Sequence, residues 1–217
     1  MIFVLLSSEA LAQNKNDNTQ IILTWQANNF YPADYRGKAM ATQGTPVTVS
    51  AEIFINNKPI DLSQAVFTWY VDDEIKNSGQ NLKEITFAAE KPEGDSHFVR
   101  VTVKVGGRDL ETSIRIPVSK HLIILETPYP DQLVRTEIKT QIQALPYFFN
   151  ISSLADLNFS WQVNEKNLET GNDNRLILNL GEPKTNEQRE IQIHVSVQNQ
   201  RNQLEFAEMR TKLTLLN

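Results

Sequence analysis

The chain has 217 residues, of which 21 are Lys or Arg and 26 are Asp or Glu, for a net charge of -5. This mild negative charge is spread along the chain, which argues against nucleic acid as a partner because a clustered basic face is needed to meet the phosphates. The sequence contains no cysteine, which excludes disulfides, thiol catalysis and cysteine-bound zinc.

The N-terminal segment Met1–Ala12 is apolar and ends in a small-x-small pattern, which is typical of the end of a secretory signal peptide. We predict cleavage between Ala12 and Gln13. The segment is shorter than the usual length of about 15 to 30 residues and lacks a basic start, so we interpret it as a truncated signal. The alternative is the apolar N-terminus of a cytosolic protein. Residues 13–19 are polar and are predicted to form a disordered leader, and no later apolar run is long enough to span a membrane.

Residues 20–118 are predicted to form one β-sandwich. Apolar residues recur at every second position, for example at Val47, Val49 and Ala51, as in a half-buried strand. Turn-forming residues separate the apolar runs, and the Gly106-Gly107 pair indicates a tight hairpin. The predicted strands are Ile21–Trp25, Val47–Ile55, Val66–Val71, Leu82–Ala88, Phe98–Val105 and Leu110–Val118.

Residues 119–217 are predicted to form a second β-sandwich, which begins with the strand Leu122–Leu125. Only the segment Ser119–His121 separates this strand from the first module. So short a linker leaves little freedom to swivel, so we expect a stiff rod of two modules.

The two modules are related by an internal repeat. Phe67–Asp72 recurs as Phe159–Asn164, with tryptophan at positions 69 and 161 and hence an offset of 161 − 69 = 92 residues. The same offset relates Gly79 to Gly171, and it relates the alternating run Val99, Val101, Val103, Val105 to Ile191, Ile193, Val195, Val197. A period of this length suits a sandwich of about 100 residues and exceeds that of solenoid repeats. The predicted fold class is therefore all-β, with two tandem sandwiches whose cores contain Trp69 and Trp161.

The Phe-x-Trp-x-Val-[Asp/Asn] strand, the glycine eight residues later and the alternating valines resemble bacterial immunoglobulin-like modules, in particular PKD-like domains. The resemblance covers about residues 20–217. It departs from the PKD pattern at Asp72–Glu74 and Asn164–Lys166, where that family has a Gly-Asp-Gly turn. It implies extracellular display, adhesion or the spacing of other domains.

Catalytic and metal-binding patterns are missing from the sequence. The histidines, His97, His121 and His194, do not converge in the predicted fold, and we expect all of them to be solvated. The sequence has no Gly-x-Ser-x-Gly, His-Glu-x-x-His or Walker glycine motif, so we predict no catalytic residue, no cofactor and no enzyme activity.

Loop carboxylates are the remaining candidates for metal ligands, because calcium prefers oxygen ligands. They lie after the tryptophan strand, in the Lys91–Asp95 turn and near the module junction, but none follows the Asp-x-Asp-x-Asp-Gly spacing. We predict solvated turns and no metal site, with calcium as the alternative. The candidates are Asp72, Asp73, Glu74, Asp95, Glu126 and Asp131.

Aromatic residues in two connecting segments raise a choice between a binding surface and internal packing. Tyr147–Phe149 is either an exposed contact patch or packs internally, and we favour internal packing. In that case the aromatics either cap the open end of the second sandwich or pack against the first module. The loop with Tyr31 and Tyr35 poses the same choice. Trp25 is the only tryptophan outside the repeat and could stack on a sugar ring.

Together these features predict a non-catalytic, secreted or cell-surface protein that acts as a binding or spacer module. Its predicted partner is a protein or glycan at the cell surface. One alternative is a structural or accessory subunit of a surface filament or envelope layer. Another is a carbohydrate-binding accessory module of a larger protein.

Overall fold

The computed structural model describes residues 19–128, 132–135, 139–168, 172–180 and 189–216. The predicted signal peptide, the leader up to residue 18, the acidic candidate Asp131 and the repeat glycine Gly171 lie outside the described residues. Within them the chain is all-β and folds into two immunoglobulin-like sandwiches, with one short 3₁₀ turn at Leu154–Asp156. No helix in this part of the chain is long and apolar enough to cross a membrane.

The first sandwich consists of two antiparallel sheets. One has the order β1-β2-β3, with β6 also paired to β2, and the other has the order β5-β4-β7-β8. The strands are β1 (Thr19–Ala27), β2 (Pro46–Ile55), β3 (Lys58–Pro59), β4 (Val66–Val71), β5 (Glu74–Gln80), β6 (Glu84–Ala88), β7 (Ser96–Val105) and β8 (Arg108–Pro117).

The second sandwich has one sheet with the order β14-β11-β9 and one with the order β10-β16-β15-β12-β13. Strand β10 pairs with β16 in parallel, and the other pairs are antiparallel. The strands are β9 (Leu122–Glu126), β10 (Leu133–Arg135), β11 (Lys139–Tyr147), β12 (Leu157–Val163), β13 (Lys166–Leu168), β14 (Arg175–Asn179), β15 (Arg189–Asn199) and β16 (Phe206–Leu216).

Each sandwich has its own core, and a buried tryptophan lies in each. Trp69 on β4 is fully buried in the first core, and Trp161 on β12 is 1% exposed in the second. A buried indole needs a partner for its N–H group. Trp69 Nε1 donates to the carbonyl of Leu82 at 2.8 Å, and Trp161 Nε1 donates to that of Asp173 at 3.0 Å. The predicted core role of both tryptophans is therefore confirmed.

The register of the sheets corrects the repeat offset for the alternating strand. Trp69 lies opposite Val101, whereas Trp161 lies opposite Val195, so these partners are 195 − 101 = 94 residues apart and not 92. A shift of two residues leaves every side chain on the same face of the strand, so the alternation in the sequence cannot detect it. The equivalent of His97 is consequently Ile191.

Two-residue turns with positive φ at both positions recur in the fold. Gly106 and Gly107 have φ values of 56° and 76°, which confirms the predicted hairpin. The Asp72-Asp73 and Asn164-Glu165 pairs adopt the same kind of turn, with φ between 48° and 68°. Asp and Asn tolerate this conformation better than most residues. Each of these pairs leads into a strand, β5 or β13, that the sequence did not predict.

Replacing Trp69 or Trp161 with alanine should destabilise the affected sandwich by about 3 to 5 kcal/mol, because a large side chain is lost and a cavity remains. Chemical denaturation followed by circular dichroism measures this free energy of unfolding. Ile177→Ala is the control, since Ile177 is 61% exposed and its loss should change stability by less than about 0.5 kcal/mol. Tryptophan variants as stable as the control would contradict the core assignment.

Candidate functional site: the junction of the two sandwiches

The main chains of the two sandwiches are hydrogen-bonded to each other. Phe30, in the loop after β1, forms an antiparallel bridge with Phe149, which follows β11. The Phe30 N–H donates to the Phe149 carbonyl at 2.8 Å, and the Phe148 N–H donates to the Phe30 carbonyl at 2.6 Å. This bridge places the loop of the first module directly on the end of the second.

Two buried threonines of the first module extend this contact. The Thr42 hydroxyl donates to the Phe148 carbonyl at 2.8 Å, and the Thr45 hydroxyl donates to Asn150 Oδ1 at 2.7 Å. Asn150 Nδ2 in turn donates to the Gln43 carbonyl at 3.0 Å. Both threonines are fully buried, so separating the modules would strand polar groups that now have partners.

Glu205 fixes Asn150 from the side of the second module. Its carboxylate, which is 5% exposed, accepts from the Asn150 N–H at 3.1 Å and from Asn150 Nδ2 at 2.9 Å. It also accepts from Asn199 Nδ2 at 2.9 Å and from Asn202 Nδ2 at 3.2 Å. Burial alone would raise the pKa of Glu205, but these hydrogen bonds and nearby His121 together lower it below the ordinary value. The junction therefore contains a buried negative charge.

His121 from the linker lies against this carboxylate. Its ring centroid is 4.8 Å from that of Phe149, and its Nε2 is 3.9 Å from Glu205 Oε2. That nitrogen is buried and has no hydrogen-bond partner among the described residues. Burial lowers the pKa of His121, and the negative charges of Glu205 and Glu93 only partly oppose the effect. His121 is therefore neutral at pH 7, and acid would place a proton inside the junction.

The aromatic segment at the end of β11 packs inward, as favoured from the sequence. Phe148 is 4% exposed and Phe149 is fully buried. The ring of Tyr35 lies 5.3 Å from that of Tyr147 and 5.9 Å from that of Phe148. Tyr31 remains 42% exposed at the rim of this cluster. The segment thus joins the modules and is not an exposed patch.

The expectation of three solvated histidines is wrong for His121, whose side chain is 11% exposed in the junction, and for His97, which is 4% exposed. Its Nδ1 lies 2.6 Å from Asp72 Oδ2, and its Nε2 accepts from the Lys91 N–H at 3.4 Å. Asp72 also accepts from Lys91 Nζ at 2.7 Å and from the Phe98 N–H at 2.9 Å. Burial would raise the pKa of Asp72, but the hydrogen bonds from Lys91, Phe98 and His97 lower it. Because protein groups occupy both ring nitrogens, this cluster fastens the β4–β5 turn to β7.

The remaining candidates from the sequence are dispersed. His194 lies on the outer face of β15, with Nε2 2.9 Å from Glu208 and Nδ1 3.1 Å from Gln162. Glu74 pairs with Lys76 at 3.3 Å on the surface. No group of three or more His, Asp or Glu side chains within the described ranges is placed to hold a metal ion.

The ring of Trp25 is not freely exposed for stacking on a sugar ring. It is half-buried against the first core, and the ammonium group of Lys38 lies 3.6 Å from the centroid of its ring. Burial of that ammonium lowers the pKa of Lys38. A ligand would have to displace this cation to stack on the covered face.

Comparison with known proteins gives matches in structure only. No protein-family model matches this sequence, and no curated protein matches it. Among solved structures, the three N-terminal domains of the Hoc outer capsid protein of bacteriophage RB49 match at 15% identity with a TM-score of 0.47. That match covers 91% of this chain and 59% of the Hoc structure, so the chain spans less than two thirds of it.

Two further solved structures are similar to this chain. Fibronectin(III)-like modules of Clostridium thermocellum CbhA match at 12% identity with a TM-score of 0.31, over 89% of this chain and 93% of that one. A D1–D4 ectodomain fragment of ICAM-5 matches at 11% identity with a TM-score of 0.32, over 91% of this chain and 53% of that one. The likeness is one of fold.

The stability of the chain should fall in two steps as the pH decreases from 7.5 to about 2.5, because the unfolded chain takes up protons before the folded chain does. His121 has its folded pKa below the ordinary 6.5, so its contribution starts to be lost below about pH 6.5. Glu205 and Asp72 have folded pKa values below their ordinary 4.5 and 3.8, so a second loss follows below about pH 4.5.

Urea unfolding midpoints at several pH values test this profile. His121→Phe should remove the first step and keep the second, whereas the control His194→Gln should keep both. A His121→Phe profile that still falls between pH 6.5 and 5.5 as steeply as the wild type would show that another group is responsible.

Proposed function

We propose that this chain is a non-catalytic spacer and binding protein that holds two immunoglobulin-like sandwiches, residues 20–118 and 119–217, in one fixed relative orientation. The observation that carries the proposal is the hydrogen-bonded bridge between Phe30 and Phe149, together with the contacts of Thr42 and Thr45 to the second module. A flexible pair of domains has no need to bury polar side chains between its modules.

The linker supports the same proposal. Ala41 forms a parallel bridge with Val118, and the Ser119 N–H donates to the Ala41 carbonyl at 2.7 Å. The chain is therefore held by the first module up to residue 119. His121 is already packed on Phe149 of the second module, so almost no free linker remains between them.

The arrangement of ionisable side chains favours a role without catalysis. The half-buried Asp72 and the buried His97 and Glu205 are hydrogen-bonded to protein groups. The Nε2 of His121 has no partner among the described residues, but it is buried inside the junction against the Glu205 carboxylate. A general base needs an unoccupied lone pair directed at a substrate. We place the protein outside the cell or at its surface, with a protein or glycan as partner, on the basis of the signal-like start and the resemblance to bacterial PKD-like modules.

Nuclear magnetic resonance of the weakly aligned protein tests the fixed orientation. Residual dipolar couplings of the two modules in the wild-type chain should fit a single alignment tensor. The double variant Thr42→Val and Thr45→Val keeps the side-chain shapes but removes both hydroxyl donors, so the two modules should then need different tensors.

Thr48→Val is the matched control, because the Thr48 hydroxyl bonds Thr86 on the outer face of the first module, at 2.9 Å, and no residue of the second module among those described. It should leave the couplings unchanged. Two independent tensors in the wild-type chain would contradict the proposal of a rigid spacer.

A further inference from the structure

A cluster of exposed apolar side chains lies along one edge of the second sandwich, next to the junction. Leu204 is 83% exposed, Phe206 is 59% exposed and Met209 is 39% exposed, at and before the start of β16. Leu122 and Ile124 on neighbouring β9 are 36% and 48% exposed. Leu122, Leu204, Phe206 and Met209 line one groove of about 370 Å³. We call this region the β16 edge.

The first sandwich shows that the fold does not require this apolar edge. The sheet registers place Asp109 of β8 at the position of Phe206 and Thr112 at the position of Met209. The first sandwich also closes this hairpin with Gly106-Gly107, whereas the second has a longer turn that carries Leu204. Only the second module has apolar side chains at these matching positions.

On the same side, the first part of β16 has no pairing strand among the described residues. Strand β15 pairs with β16 from Phe206 to Leu215, but on the other side β10 reaches only Thr214–Leu216. The Thr214 N–H donates away from β15, to the Gln132 carbonyl at 2.9 Å. Because hydrogen-bonding directions alternate along an antiparallel strand, the even-numbered residues Phe206, Glu208 and Arg210 point their N–H and C=O groups outward. Within the described ranges no strand pairs with them.

The charges on this edge complement a second copy of the same strand. If two β16 strands pair antiparallel about a two-fold axis through Met209, Glu208 of each copy lies opposite Arg210 of the other. Opposite charges facing each other across strands are stabilising, and like charges are destabilising. A shift of the axis to Glu208 would place two carboxylates together, so the charges favour the register through Met209 over that one. Arg210 forms no ion pair with any described residue, whereas Glu208 is 2.9 Å from His194.

We propose that the β16 edge pairs with the β16 edge of a second copy of this chain, which joins two five-stranded sheets into one continuous sheet. Unpaired strand edges are ready templates for such pairing, and the apolar side chains on both faces of the edge would shield the new hydrogen bonds from water. The same surface is used by both copies, so the assembly closes as a dimer and does not extend into a filament.

Sedimentation equilibrium of the full chain at about 1 to 200 µM measures the dimer dissociation constant. The wild-type chain should dimerise in this range. Glu208→Arg and Arg210→Glu should each weaken the dimer at least about tenfold, because each replaces two cross-strand attractions with repulsions. Combining both changes in one chain should restore affinity to within about threefold of wild type, since the charges are then exchanged but still complementary.

Mixing the two single variants gives an independent check. Each is repelled by its own copies, but Glu208→Arg and Arg210→Glu chains complement each other and should form a heterodimer in an equimolar mixture. Glu111→Arg is the matched control, because Glu111 occupies the position of Glu208 in the first module and pairs with Arg100 at 3.1 Å. It should leave the dissociation constant unchanged.

Crosslinking tests the position of the axis without altering any charge. The chain has no cysteine, so Met209→Cys introduces a single thiol at the predicted axis, where facing residues are close enough for a disulfide. Mild oxidation should give a covalent dimer much faster than for the matched variant Thr112→Cys.

Three outcomes would overturn the proposal. The first is a wild-type chain that stays monomeric at about 200 µM, in which case the partner of the edge would be a strand of another protein. The others are a dimer whose dissociation constant does not change in Arg210→Glu, and equal crosslinking of both cysteine variants.

Discussion

The relative position of the two sandwiches depends on the pairing of Phe30 with Phe149. Around this bridge the buried hydroxyls of Thr42 and Thr45 and the buried carboxylate of Glu205 all find partners through the same short segment, residues 148–150. Leaving a single buried polar group unpaired costs about 1 to 3 kcal/mol. Because these groups depend on one another, the junction would have to open as a whole, which makes a hinge motion unfavourable.

The two modules use different chemistry to hold the same turn. In the first, the Asp72 carboxylate accepts from the Phe98 N–H at 2.9 Å and is supported by His97 and Lys91. In the second, the Asn164 side-chain oxygen accepts from the Gln192 N–H, also at 2.9 Å. The neutral amide needs no counter-charge, and the position of His97 is correspondingly taken by the core residue Ile191. The carboxylate of Asp72 is therefore explained by the turn.

The sequence predicted the strands with one buried face, because their alternation reports the core directly. It did not predict β5, whose side chains are nearly all exposed, since a strand held by main-chain pairing alone leaves no apolar pattern. The burial of His97 depends on its contact with Asp72, 25 residues away, and nothing in the sequence near either residue predicts that contact. Thr42, Thr45 and Glu205 were missed for the same reason, since polar residues in connecting segments look solvated until their partners are known.

The junction and the β16 edge are parts of one structural unit, because the turn between β15 and β16 ends at Glu205 and β16 begins at the next residue. A contact made at Phe206 therefore acts on a main chain that is already held by the hydrogen bonds of Glu205 to Asn150 and Asn199. In a dimer joined through β16, a rigid junction would fix the direction in which each first module projects. With a flexible junction the same dimer would present its two first modules at random angles, and the buried polar contacts between the modules would have no consequence for binding.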